Sequence, residues 1–332
     1  MLWMRKGAAI AGTILALLIF VRLNSDVAFF IKSLKSSKES QLVWSSKRTE
    51  AEEQLYERIV AEAKNQYIAP INARIDRVWH AIPGYNGLEV DVEKTFQAAR
   101  LNPNSDIIPF HYAEVEPDIK LEQLGAHPVY RGNPNKKMIS FMINVAWGNE
   151  YIEAILKTLR DENVKATFFL DGSWLKKNPD IAKQIQAEGH EMSNHAYSHP
   201  DMKLLGRAEQ QSQIQRTEQL LESVLQVKNR LFAPPSGSYN KATVQIAREQ
   251  GLQTVLWTID TVDWRKPPAS SIVTKITNHL EPGALILMHP TASSRDALPG
   301  MIKAAKKRGY AIGTVSQTLS SERIDAGAVE GK

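Results

Sequence analysis

Cysteine is absent from the 332 residues. Disulfides, a thiolate-ligated zinc and a thiol nucleophile are therefore excluded, and any metal has to be held by other side chains. No block of one charge is present either. Lys and Arg total 41 against 36 Asp and Glu, the net charge of +5 is dispersed, and no basic run is interleaved with aromatics. Nucleic acid is not an expected partner of such a chain. Hydrophobic content of 43% and charged content of 23% are ordinary for a globular protein and supply enough apolar material for a sizeable core. The length suits one large domain with a smaller companion.

Arg5 and Lys6 precede the apolar run 8–21, A-A-I-A-G-T-I-L-A-L-L-I-F-V. A basic flank before such a run reads as a secretory signal or signal anchor with a cytoplasmic N-terminus. No small-x-small cleavage site follows, since Arg22, Leu23, Asn24, Ser25 and Asp26 come next. The expectation is an uncleaved anchor over 1–23, a single pass through the cell membrane and an extracytoplasmic remainder; cleavage would make the chain secreted. Residues 24–69 are polar, and 50–65 carry Leu55, Ile59 and Ala63 at spacing four, as in a charged helical stalk. The stretch 72–81 continues with Ile75, Val78 and Trp79 on one side. Pro83 to Gly87 then break the pattern, 88–92 alternate like a half-buried strand, and 107–115 hold a second extended candidate. Residues 70–135 thus read as a small α+β module without a chemical motif.

After Asn133-Pro134-Asn135 the pattern changes. Residues 138–145 are almost continuously apolar, as a strand covered on both faces requires. Amphipathic segments at 151–160, after Pro179, and at 206–225, 241–249, 270–279 and 298–307 alternate with short apolar runs at 166–170, 190–194, 230–232, 253–257, 284–288 and 311–315. Seven βα-type units imply an α/β fold with a parallel sheet, and their number favours a barrel over 136–320, followed by a tail over 321–332.

Polar residues gather where these strands end. His195 and His199 lie in N-H-A-Y-S-H-P-D after the third strand. On one helical turn, i and i+4 imidazoles share a side and make half of a divalent-metal site. The bland alternative is two polar loop histidines. Ala233-Pro234-Pro235-Ser236-Gly237 ends the fourth strand, Asp260-Thr261-Val262-Asp263-Trp264 the fifth, and Leu287-Met288-His289 the sixth. Each alone reads as a cap or a tight corner. Together, at successive strand ends, they read as one shared site.

This constellation resembles the polysaccharide deacetylases with a NodB-homology domain, over roughly 136–320. The resemblance implies a distorted (β/α)7 barrel and a divalent metal, usually zinc, held by one Asp and two His. It further implies N-deacetylation with an Asp as general base and a His as general acid. His195 and His199 match the metal histidines, with Ala196 where Ser or Thr is usual. Asp260 and Trp264 match D-x-x-D-W, implying that Asp260 orients the acid and Trp264 lines the acetyl pocket. Leu287 and His289 match L-x-H, implying His289 as the acid. Pro235 and Ser236 fall in the substrate-binding R-P-P-Y-G motif.

The first motif departs from the family. Where T-F-D-D-G is expected, the chain has Met142-Ile143-Asn144-Val145-Ala146. Asn144 occupies the base position and Val145 that of the metal-binding Asp. Ala233 replaces the Arg that pairs with the base, and Ser236 the Tyr. An amide is essentially non-basic, and a valine has no donor atom. Asp171, at the end of the second strand, is a possible compensating carboxylate, with a helix cap as its plain alternative. Trp147-Gly148 resembles the family's sporulation branch. Two functions follow from the resemblance. One is a membrane-anchored hydrolase deacetylating peptidoglycan or a related cell-wall glycan. The other is a pseudoenzyme that binds glycan or an envelope partner.

Overall fold

The computed structural model describes residues 48–102 and 105–324. The expected anchor over 1–23 and the end of the tail lie outside the described residues. No helix among the described residues is long and apolar enough to cross a membrane.

The chain divides into two compact units. In the smaller, which includes 96–109, helix α1 (Glu50–Ala63) starts with a reciprocal cap: Glu52 accepts from the Thr49 N–H at 2.9 Å and donates its own N–H to Thr49 Oγ1. Tyr56 meets Phe96 edge-on at 5.6 Å, and Arg48 lies 3.6 Å above the Tyr56 ring.

The larger unit opens with two antiparallel pairs, β1 (Arg74–Asp76) with β2 (His80–Ile82) and β3 (Gly87–Val90) with β4 (Tyr112–Val115). Helix α2 (Val92–Ala99) begins between β3 and β4. The apolar spacing of 72–81 turns out to belong to a hairpin. Asp76 Oδ1 accepts from the N–H groups of Val78 and Trp79 at 2.8 and 2.9 Å, and this side-chain turn reverses the chain. Of 107–115, only Tyr112–Val115 forms a strand.

Then follow β5 (Met138–Val145), α3 (Asn149–Asp161), β6 (Thr167–Leu170), α4 (Gly172–Lys177), α5 (Pro179–Ala187), β7 (Glu191–Asn194), α6 (Arg207–Leu225), β8 (Leu231–Phe232) and α7 (Lys241–Glu249). The series closes with β9 (Gln253–Thr254), β10 (Ile259–Asp260), α8 (Ala269–His279), β11 (Leu285–Met288), α9 (Ala292–Lys307), β12 (Ala311–Gly313) and α10 (Val315–Leu319). The strands make one parallel sheet in the order β10-β11-β5-β6-β7-β8-β9, with β12 also on β5. Every residue of β5 is buried, as its central place demands. Helices cover the outside: α3 buries Ile152, Ile155, Leu156 and Leu159 against the strands, and α9 buries Leu298, Met301 and Ile302.

The sheet is curled, and its end strands β9 and β10 are consecutive in the chain, joined by 255–258. The single strand expected over 253–257 is therefore split. Its first part pairs with β8 and its second with β11, which makes eight parallel strands where seven units were expected. Residues 129–131 fill the gap between the parts. Val129 bridges Val255, Arg131 bridges Ala284, and the Tyr130 carbonyl accepts from Thr258 Oγ1 at 2.7 Å. This curled parallel sheet fits a distorted (β/α) barrel.

Helix α10 had no counterpart in the sequence pattern. Strand β12 stops at Gly313 because Thr314 caps the helix, its Oγ1 accepting from the Gln317 N–H. Val315 N–H bonds to Thr167 and Ser316 N–H to Glu191, so α10 sits at the N-terminal ends of β6 and β7. The register Val145–Leu170–Asn194–Phe232 sets the C-terminal strand ends side by side at the other end.

Candidate functional site

At the end of β7, Asn194 is fully buried, and its side chain fixes the turn that follows. Its Oδ1 accepts from the Ala196 N–H at 2.8 Å, while its amide donates to the Ile214 carbonyl and to Glu218 at 2.6 Å. Ala196 and His199 are left-handed, with φ of 59° and 54°. The histidines thus converge through an irregular turn instead of a helical one. Their ring centres are 5.2 Å apart at 70°. His195 is 1% exposed, and its Nδ1 lies 2.7 Å from the Ala233 carbonyl oxygen. A carbonyl can only accept, so Nδ1 carries the proton and the Nε2 lone pair stays free. Burial, reinforced by His199, pushes the His195 pKa down to about 3. Burial also lowers that of His199, with the Asp171 charge opposing. Both rings are neutral at pH 7, as metal ligands or uncharged hydrogen-bonding groups have to be.

On the other side, Asp263 is fully buried and serves His289. Asp263 Oδ1 is 2.8 Å from His289 Nδ1, and Oδ2 accepts from the His289 N–H at 2.6 Å and from the hydroxyls of Ser294 and Thr291. Burial alone would raise its pKa. The hydrogen bonds and charge of His289, with Ser294, outweigh burial and hold the carboxyl below its usual range. The orienting carboxylate is therefore Asp263 and not Asp260, which the motif had suggested. Asp260 Oδ1 instead accepts from the Val262 N–H at 2.7 Å. Val262 is left-handed at φ 57°, unusual for a β-branched residue, and this bend precedes Asp263 as it turns inward. Trp147 stacks on His289, ring centres 5.9 Å apart and nearly parallel at 11°. Gly148 next to it has φ 86°, and a Cβ there would stand 2.0 Å from the Pro290 carbonyl oxygen, so glycine is required.

Between these two arms lies the end of β5. Asn144 is 3% exposed and its Oδ1 has no hydrogen-bond partner; Val145 is fully buried. Asp171 is adjacent, its N–H bonded to the Val145 carbonyl at 2.9 Å. Its Oδ1 caps α4, accepting from the Trp174 N–H at 2.9 Å and from Ser173 at 2.6 Å, while Oδ2 is buried without a partner. Burial raises the Asp171 pKa, against those bonds and the His199 charge. The cap reading of Asp171 is thus met by one oxygen. Leu287 and Pro235 are buried, Ser236 is exposed in a left-handed conformation at φ 54°, and Trp264 is half exposed with Arg265 4.8 Å from its ring centre.

Among the described residues no group of three or more His, Cys, Asp or Glu side chains is placed to hold a metal ion. Two imidazoles are available, and the third position carries the hydrocarbon of Val145. The donor set does not complete the metal centre that the resemblance implied. Sequence reasoning missed Asp263, although the second Asp of D-x-x-D-W was its signal. It also missed the stack of Trp147 on His289 and the Asn194–Glu218 support.

Fold and rim together define a barrel of the carbohydrate esterase type. The family model for polysaccharide deacetylase matches residues 131–255. A peptidoglycan-N-acetylglucosamine deacetylase of Bacillus cereus is 33% identical over 199 residues, 58% of this chain and 72% of that protein. The crystal structure of a CE4 family pseudoenzyme from Bacillus anthracis shares 44% identity with a TM-score of 0.76, covering 82% of this chain and 96% of that one. A mutant CE4 family pseudoenzyme with restored enzymatic activity shares 42% identity at a TM-score of 0.76, covering 81% of this chain and 99% of that one. The chain belongs to the polysaccharide deacetylase family.

Proposed function

We propose that the protein is a catalytically impaired deacetylase-like protein that binds N-acetylated, peptidoglycan-type glycan at the strand-end rim. One observation carries this reading: the base position holds Asn144, a buried amide that cannot take a proton from water, next to Val145. General-base assistance is worth roughly 10²–10⁴ in rate, and its loss leaves little turnover. Trp264 and Trp147, both about half exposed, give sugar rings apolar faces beside His289. The likeness to a CE4 pseudoenzyme supports impairment, and the likeness to a peptidoglycan deacetylase supports the glycan.

His195 and His199 are the residues that would hold a divalent metal, zinc by the family's habit, and with two imidazoles alone they hold it weakly. The apolar run 8–21 supports an anchor in the cell membrane with the barrel outside, and Trp147-Gly148 supports membership of the family's sporulation branch. A second reading, slow deacetylation, is favoured by the intact Asp263–His289 pair. The test is acetate release and binding measured together on N-acetylglucosamine oligomers with added zinc. Saturable binding without acetate is expected. Acetate release abolished by His195→Ala would instead establish the second reading.

A further inference from the structure

A cavity of about 1210 Å³ opens at the end of the barrel opposite the rim, beside the starts of β8 and β9. It exceeds the roughly 300–1,000 Å³ of ordinary small-molecule pockets, so it suits an oligomer of several residues. Four separate stretches build it: Pro83 to Asn86, Glu116 to Glu122, Glu218 through Gln253, and Ser316 to Glu322. The first, second and fourth lie outside the segment matched by the family model.

Its chemistry differs from that of the rim. No Trp, Tyr, Phe or His lines it, so it offers no ring on which a sugar or a base stacks. Charged groups of both signs line it, with Lys120, Lys228, Arg230 and Arg248 facing five glutamates. Glu218 and Glu222 stand one turn apart on α6. Glu218 is partly buried and accepts amide N–H groups from Asn194 and Asn229 at 2.6 and 2.7 Å. No ion pair among the described residues uses Glu218 or Arg230. Asn229, Gln253, Ser320 and Ser321 add neutral donors and acceptors, and Leu121, Val227 and Leu319 supply small apolar patches.

We propose that this cavity binds a zwitterionic peptide, one with a free ammonium and free carboxylates. Glu222 of α6 takes the ammonium, Arg230 and Lys228 the carboxylates, the amides and serines the backbone, and the aliphatic patches the methyl groups. The idea rests on the peptidoglycan reading above, and it separates two parts of that polymer: glycan at the rim, peptide stem at the opposite end.

The test is calorimetric titration of the purified full-length protein with two probes. One is a synthetic stem tetrapeptide containing diaminopimelate, and the other is the N-acetylglucosamine pentamer. The expected result is saturable tetrapeptide binding, weakened at least tenfold by Arg230→Glu and by Glu222→Gln and unchanged by Trp264→Ala. Arg230 is exposed, so its variant should fold as the parent does, which a thermal melt verifies. Absence of saturable tetrapeptide binding overturns the proposal, and so does binding that Arg230→Glu leaves intact or that Trp264→Ala abolishes. The pentamer reads the rim independently: its failure to bind, with the peptide bound, sinks the glycan reading and spares this one.

Discussion

On one side of the rim, Asp263 receives hydrogen bonds from the backbone and ring of His289 and from Ser294 and Thr291. On the other, Asn144 keeps a buried amide oxygen without a partner, and Val145 stands where a donor would be needed. The contrast separates residues that the fold itself holds in place from residues that it leaves free to vary. A buried carboxylate with four donors is structural as well as chemical, and removing it would leave several polar groups unsatisfied. The β5 end carries no such obligation. His195 is retained by a main-chain carbonyl, Ala233 O, which is indifferent to the loss of an arginine side chain at that position. Persistence of Asp263 and His289 is therefore weaker evidence for catalysis than the motif alone suggests.

The contrast can be broken most forcefully by rebuilding the poor side. Asn144→Asp with Val145→Asp should raise acetate release from N-acetylglucosamine oligomers, with zinc present, by about 10²–10⁴-fold over the parent. No rise would mean that the retained arm has drifted out of catalytic geometry. Next in size is damage to the intact side: Asp263→Ala should cost about 3–5 kcal/mol in urea unfolding, because a buried paired charge is removed and its donors are stranded.

Acid should act in a defined direction. His195 binds fewer protons when folded, with a pKa of about 3, than its ordinary value of 6.5 allows when unfolded. Its contribution to stability is therefore complete above pH 6.5 and falls as pH drops toward 3. Asp263, held below its usual range, adds loss in the same direction at the acid end. Unfolding midpoints in chelator from pH 7.5 to 5 should decline, and His195→Gln should flatten that slope. The smallest effect belongs to Asp260→Asn, below about 1 kcal/mol, with the Nδ1–H proton resonance of His289, which reports its bond to Asp263, unmoved in NMR. Loss of that resonance would return the orienting role to Asp260.

Much of the barrel was legible because its signals are periodic or compositional. The run 138–145 reads as a strand buried on both faces, and the faces of α3 and α6 follow their apolar spacing. What escaped depends on single backbone dihedrals and side-chain turns. Asp76 closes a hairpin where spacing continued a helix. The chain between Thr254 and Ile259 changes partners, and no pattern of apolar residues records such a change. Asp260 and Asp263 are equivalent by composition, and the left-handed Val262 separates their roles. The rim histidines stand 5.2 Å apart, but two left-handed residues bring them together where a helical turn had been envisaged.

The plug formed by 129–131 bears on how portable the barrel is. These residues precede or only just enter the family-matched segment, yet they occupy the slot between β9 and the start of β11. A chain begun at 136 would expose Thr254 O, Leu256 N and Gly283 O as unpaired strand edges, and such edges recruit other chains. The catalytic-type domain is thus not a self-sufficient cassette. Its seam is sealed by the sequence that leads into it, and a graft or truncation that leaves 129–131 behind opens that seam.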